Sequence, residues 1–185
     1  MDAGESLERL KEGNRLFSSG KPSGKDLASQ RKATAGGQSP YAIVLTCSDS
    51  RVPPEHIFSS GIGELFVIRT AGNIADSVAI GSIEYAAEHL HAPLLVVMGH
   101  ESCGAVNAAC ASDCAPGNIN TIVREIQPAV RAGAKEPSKV IEANVKCVLN
   151  TIRKKSEILR LLEKGGKLKM AGAVYSFSTG AVSFL

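Results

Sequence analysis

Cysteine, aspartate and arginine stand at alternate positions in "LTCSDSRVPPEH", residues 45–56, as Cys47, Asp49 and Arg51. A second stretch, "VVMGHESCG" at 96–104, closes an apolar run with His100 and Cys103. Thiolate sulfur and imidazole nitrogen are donors that Zn²⁺ takes readily, and a catalytic zinc site uses three protein ligands with one position left open. Cys47, His100 and Cys103 supply that number and those types. His100 and Cys103 are three apart, so both side chains can face one point at the start of a helix. A helix N-terminus also favours a thiolate at Cys103. Alone, HxxC is a common chance match, and Cys47 alone reads as a small buried hydrophobe. The flanking residues change the reading. Asp49 lies close enough to Cys47 to become a fourth ligand, which would close the site, whereas Arg51 can hold that carboxylate by two parallel hydrogen bonds. Held beside zinc but off it, an aspartate accepts a hydrogen bond from a metal-bound water and orients it for attack. Without a metal, the same pair is a loop salt bridge.

These residues need elements to carry them. "YAIVLTC" at 41–47, "ELFVIR" at 64–69 and "PLLVVMG" at 93–99 are short, apolar on both faces and rich in β-branched residues, which predicts strands buried on both sides. "KLKMAGAVYSF" at 167–177, "STG" and "AVSFL" at 181–185 predict a strand, a turn and a final antiparallel strand. Helical spacing of Leu7, Leu10, Asn14 and Phe17 predicts an N-terminal helix over 5–19, broken by "SSGKPSG" at 18–24, then a short helix over 25–35. Asp76 is a suitable N-cap for a helix over 77–90 with an apolar stripe of Val78, Ile83, Ala86, Ala87 and Leu90. Further helices are expected at 103–112, 118–133 and 137–164, the last long enough to bend or be interrupted. Strands alternating with helices imply an α/β fold: a central, mostly parallel β-sheet with an antiparallel edge strand, flanked by helices. In such sheets ligands bind beyond the carboxyl ends of the strands. Cys47 ends the first predicted strand and His100 follows the third, so both fall on that edge.

Composition excludes several classes. A chain of 185 residues, 44% hydrophobic and 21% charged, is expected to fold as a single domain over 1–185, with a helical arm at 1–35 and an α/β core at 40–185. A net charge of +3 without a long basic run gives no reason to expect nucleic acid as a partner, and "RKK" at 153–155 reads as a solvated helix face. No apolar stretch reaches the ~20 residues that a membrane-crossing helix needs, and the charged N-terminus has no signal core. A soluble, cytoplasmic protein is expected, or an organellar one if a targeting segment has been removed. Five cysteines, an odd number, argue against a fully paired disulfide framework. Cys110 and Cys114 read as free thiols, Cys147 as core packing, and His56, His89 and His91 as surface or structural residues.

Taken together, "CSDSR", "RTAGN" and "GHESCG" resemble the β-class carbonic anhydrases, and the resemblance runs from "LERLKEGNRLF" to the terminal hairpin. It implies that Cys47, His100 and Cys103 bind one zinc ion per chain and that Asp49 and Arg51 form the catalytic dyad. Gln38, Phe66 and Tyr85 match substrate-pocket positions of the plant-type branch. Ala71 stands where that branch has valine, and the Gly104 N–H matches a donor to a substrate oxygen. The implied reaction is reversible hydration of carbon dioxide to bicarbonate and a proton by zinc-bound hydroxide. The implied assembly is a homodimer or higher homo-oligomer, with the N-terminal helix packing across the partner. Two other readings stay open: a zinc hydrolase of carbonyl sulfide or carbon disulfide, and a non-catalytic zinc protein with a closed site. A second branch of the family closes its site with aspartate and uses a strand tryptophan in a bicarbonate pocket. This chain has no tryptophan, and Val44 takes the corresponding place. The resemblance therefore implies the open-site branch.

Overall fold

The structure, a computed structural model, describes residues 1–22, 24–133 and 135–185. Ser23, inside the predicted break at 18–24, lies outside the described residues. Among the described residues, five strands form one sheet in the order β2-β1-β3-β4-β5. They are β1 (Ala42–Cys47), β2 (Leu65–Thr70), β3 (Leu94–His100), β4 (Lys169–Tyr175) and β5 (Val182–Phe184). The first four run parallel, and β5 closes the far edge antiparallel to β4. The predicted sheet is therefore the observed one.

Among the described residues eight α-helices flank the sheet: α1 (Ala3–Ser18), α2 (Leu27–Ala33), α3 (Pro54–Ile57), α4 (Ser77–Glu88), α5 (Gly104–Ala111), α6 (Ile119–Ala132), α7 (Pro137–Lys155) and α8 (Glu157–Lys164). None of them is long and apolar enough to cross a membrane. Every residue of β1 and β3 is buried, as continuous apolar runs require. One face, with Ile43, Leu45, Leu95 and Val97, packs on α4, α7 and α8. The opposite face, with Val44, Leu94, Val96 and Met98, packs on α1 and α3 through Leu10, Ile57 and Phe58. A third cluster, around Cys47 and Cys103, is enclosed by α5, α6 and α7.

Two expectations need correction. Strand β2 is only half-buried, because it is the edge of the sheet and no strand lies beyond it. Val78 is 75% exposed, while Ala79 and Ile80 are buried in its place. The Asp76 side chain accepts from the Ala79 N–H as predicted, so α4 starts at Ser77, and its buried stripe runs through Ala79, Ile80, Ile83, Ala86 and Ala87. Helix α1 is tied to its own chain. The Asn14 amide donates to the Ile57 and Gly180 carbonyls, and its oxygen accepts from the Val182 N–H. Gly13 permits this approach, since a Cβ there would stand 1.9 Å from the Phe58 oxygen. Leu10 is fully buried, a contribution of about 1.5–3 kcal/mol.

The long helix predicted over 137–164 is interrupted. Ser156 is extended (φ −116°, ψ 111°), ending α7, and its hydroxyl accepts from the Leu159 N–H to start α8.

Candidate metal centre

From β1 the chain crosses outward to β2, and from β3 it crosses the other way to β4, so β1 and β3 flank the point where the winding reverses. A crevice opens beyond the carboxyl ends of two such strands. Cys47 is the last residue of β1 and His100 the last of β3. Cys103 follows as the N-cap of α5. Sequence positions more than 50 apart thus converge: one ligand atom from each of Cys47, His100 and Cys103 lies within 4.8 Å of the others.

All three are buried. The Cys47 and Cys103 sulfurs are 4.0 Å apart. His100 is fully buried, and its Nδ1 is 2.8 Å from the Glu101 carbonyl oxygen, which assigns the ring proton to Nδ1. Its Nε2 then carries a lone pair and has no hydrogen-bond partner among the described residues. A buried acceptor without a donor is costly. A cation between two thiolates and that nitrogen would satisfy all three groups, and the donor set is one that zinc takes. The residues fit the metal.

The thiols interact strongly. The Cys103 thiol lowers Cys47 to about 4, against burial, and His100 and the Gly72 N–H act in the same direction. Cys103 is raised far above its ordinary value by Cys47 and by burial, although the Ala105 and Val106 amides of the α5 N-terminus oppose this.

Asp49 and Arg51 lie beside this cluster. Arg51 donates to Asp49 Oδ1 from Nε at 2.9 Å and from its backbone N–H at 3.0 Å, and to Oδ2 from Nη2 at 2.7 Å. That fork holds the carboxyl well below the usual carboxylate range. Asp49 Oδ2 stands 4.0 Å from His100 Nε2, which brings the carboxylate alongside the cluster.

Other predicted residues divide into two groups. Gly104 opens α5 directly after Cys103, among the first-turn N–H groups that have no intrahelical partner. Ala71 precedes Gly72, whose N–H donates to the Cys47 sulfur at 3.3 Å. These two stand at the cluster. Phe66, Tyr85 and Gln38 do not. Phe66 is four residues back along β2 from Thr70, the register partner of Cys47, or about 13 Å at ~3.3 Å per residue. Its ring lies 6.2 Å from that of Tyr85, which is half-exposed on α4, and Gln38 is exposed ahead of β1.

Sequence reasoning missed three supports. Arg69 Nε donates to the Cys47 carbonyl at 3.1 Å, and its Nη2 donates to the Asp49 carbonyl. The Arg51 guanidinium lies 4.2 Å over the Phe177 ring, which also meets His100 edge-on at 5.4 Å. Buried Asn144 donates to the Gly72 carbonyl at 2.9 Å. Asn144 left a sequence signal as a polar residue on the apolar stripe of α7, and Arg69 opens the "RTAGN" stretch, although neither sequence feature shows these contacts. His56, His89, His91 and Cys114 are exposed, Cys110 and Cys147 are half-buried, and all five cysteines are free.

A family model described as "Carbonic anhydrase" matches residues 42–182. Carbonic anhydrase 2 of Mycobacterium tuberculosis is 40% identical over 180 residues, covering 92% of this chain and 87% of the relative. Among solved structures, the β-carbonic anhydrase CafA of Aspergillus fumigatus superposes with a TM-score of 0.76 at 26% identity, covering 98% of this chain and 89% of that one. A tetrameric β-carbonic anhydrase of Sordaria macrospora gives 0.73 at 25% identity, covering 98% and 97%.

Proposed function

The chain belongs to the β-carbonic anhydrase family, and from that premise we propose that it catalyses the reversible hydration of carbon dioxide to bicarbonate and a proton. The observation that carries the proposal is the partnerless, buried Nε2 of His100 among two thiols, beside a carboxylate already held by arginine.

Cys47, His100 and Cys103 would hold Zn²⁺, which supplies the Lewis acidity that lets water ionise near neutral pH; carbonic anhydrase is the standard example of that effect. Asp49, kept ionised by Arg51, accepts a hydrogen bond from the attacking water and sets its direction. Arg51 does not touch the reacting atoms; it keeps both Asp49 oxygens engaged, which supports an open rather than a closed site. As charge develops on the product oxygens, the Gly104 N–H at the start of α5 is a preorganised donor. Ala71 supplies apolar wall.

Gln38, Phe66 and Tyr85 belong to the same pocket in this reading, yet they stand away from the chain's own cysteines. A second copy resolves this. Half-buried edge strand β2, exposed Val78 and half-exposed Tyr85 form a face that a symmetric dimer would cover. Each copy would then give its Gln38, Phe66 and Tyr85 to the other's metal. Residues 40–185 form the catalytic core in this reading, with 1–35 as an arm.

Stopped-flow hydration of carbon dioxide by zinc-loaded protein tests the proposal, with hydrolysis of carbonyl sulfide measured in parallel. Zinc-dependent hydration is the expected result. Hydrolysis of carbonyl sulfide without hydration would overturn it, as would a zinc-loaded protein inert to both.

A further inference from the structure

Asn144 lies in the middle of α7, 1% exposed, on a helix face otherwise made of Val140, Ile141, Val145 and Val148. A carboxamide there brings two donors and an acceptor into an apolar layer, at a cost unless they are bonded. Its Nδ2 donates to the Gly72 carbonyl at 2.9 Å, and its Oδ1 has no partner among the described residues. Gly72 is the residue whose N–H donates to Cys47 Sγ. It adopts φ +69°, and a Cβ there would stand 2.8 Å from Ile126 Cδ1 and 3.1 Å from the Ala105 Cβ. Gly72 sits in a single 3₁₀ turn, Ala71–Asn73, with a non-helical φ/ψ of its own, so contacts from outside that short turn help to fix it. A single residue thus joins a buried amide on α7 to a sulfur at the end of β1.

We infer that Asn144 is a positioning residue for Cys47: by anchoring the Gly72 carbonyl it aims the Gly72 N–H at the sulfur, and so tunes how that thiolate binds a metal. This rests on the reading of Cys47 as a zinc ligand. A donor aimed at a thiolate draws negative charge off the sulfur. That offsets part of the charge two thiolates give to Zn²⁺, and partners of this kind set both ligand orientation and metal affinity. A plain space-filling role for Asn144 would affect stability and leave the metal unchanged.

The test compares zinc affinity, by chelator competition, and the sulfur-to-metal charge-transfer band of the Co²⁺-loaded protein. Wild type, Asn144→Leu, Asn144→Asp and Val148→Ala are measured, the last a core truncation one turn further along α7. A wild type with no thiolate band would remove the metal reading itself. With the band present, both Asn144 variants should bind zinc about tenfold or more weakly and shift the band to lower energy, while Val148→Ala should lose stability alone. Unchanged affinity and band in the Asn144 variants would overturn the inference, and so would equal losses in Val148→Ala. Should the Asn144 variants not fold, the wild type loaded with an NMR-active cadmium isotope decides. Scalar coupling between the metal and the Gly72 amide proton, through Cys47 Sγ, is expected, and its absence would refute the bond.

Discussion

At the scale of single residues, the Cys47–His100–Cys103 cluster separates cysteines that look alike in composition. Cys47 and Cys103 are buried 4.0 Å apart, whereas Cys110, Cys114 and Cys147 stand outside the cluster. Zinc content should therefore fall from about one per chain to near zero in Cys47→Ser and Cys103→Ser, and stay unchanged in the serine variants of the other three. Ligand loss should also lower Tm, because metal binding is coupled to folding; elemental analysis with thermal melts checks both. For Asp49 the sign follows from its partner. Arg51 depresses its folded pKa, so the stabilisation is present above the unfolded value of ~3.9 and is lost only as pH falls through the lower folded value. The Asp49 carboxyl carbon should give a flat NMR titration from pH ~7 to ~4, and in Arg51→Leu it should begin to titrate within that range. Asp49→Ala should reduce kcat and kcat/KM together. The Cys47–His100–Cys103 cluster and the Asp49–Arg51 pair are legible because cysteine, histidine and aspartate at or just beyond strand ends are chemically distinctive. Phe177 and Arg69 are not, since their contacts depend on how the terminal hairpin and β2 approach the β1 end.

Secondary structure was legible wherever periodicity and caps agree, as at α4, where Asp76 bonds the Ala79 N–H. It was less so where burial depends on neighbours. The apolar run of β2 resembles that of β1, and only strand order makes one an edge and the other a centre. The break between α7 and α8 shows what one buried polar residue can do. Ser156 is 1% exposed, caps α8 through the Leu159 N–H, and donates its hydroxyl proton to the Glu84 carboxylate on α4. Ser156→Ala would leave that amide and carboxylate without their partner. The expected cost is about 1 kcal/mol, or about 2–4 °C in Tm for a chain of this size. Zinc content and hydration should remain as in wild type, since α8 does not touch the cluster. A melt unchanged within error would show that the cap contributes nothing.

For the whole molecule, the fold brings Cys47, His100 and Cys103 together within one chain and leaves Phe66 on edge strand β2 and Tyr85 half-exposed on α4. The resemblance places Gln38, Phe66 and Tyr85 in one pocket, whereas a single chain keeps Phe66 about 13 Å along its strand from the register of Cys47. Sequence cannot display this separation, because it does not distinguish contacts within a chain from contacts between copies. A symmetric dimer makes a definite prediction. Let one copy carry Cys47→Ser, which removes its metal, and the other Gln38→Ala, which impairs the wall it gives away. In the mixed dimer, the intact metal of the second copy meets the intact Gln38 of the first. One of the two sites is whole, although neither parent has a whole site. Random assembly makes half of the dimers mixed, so co-expressed protein should approach about a quarter of wild-type hydration activity. If Gln38 instead served the metal of its own chain, both sites of the mixed dimer would be defective. Activity would then equal the mean of the two parents, and the shared-pocket proposal would fail while the metal centre stood.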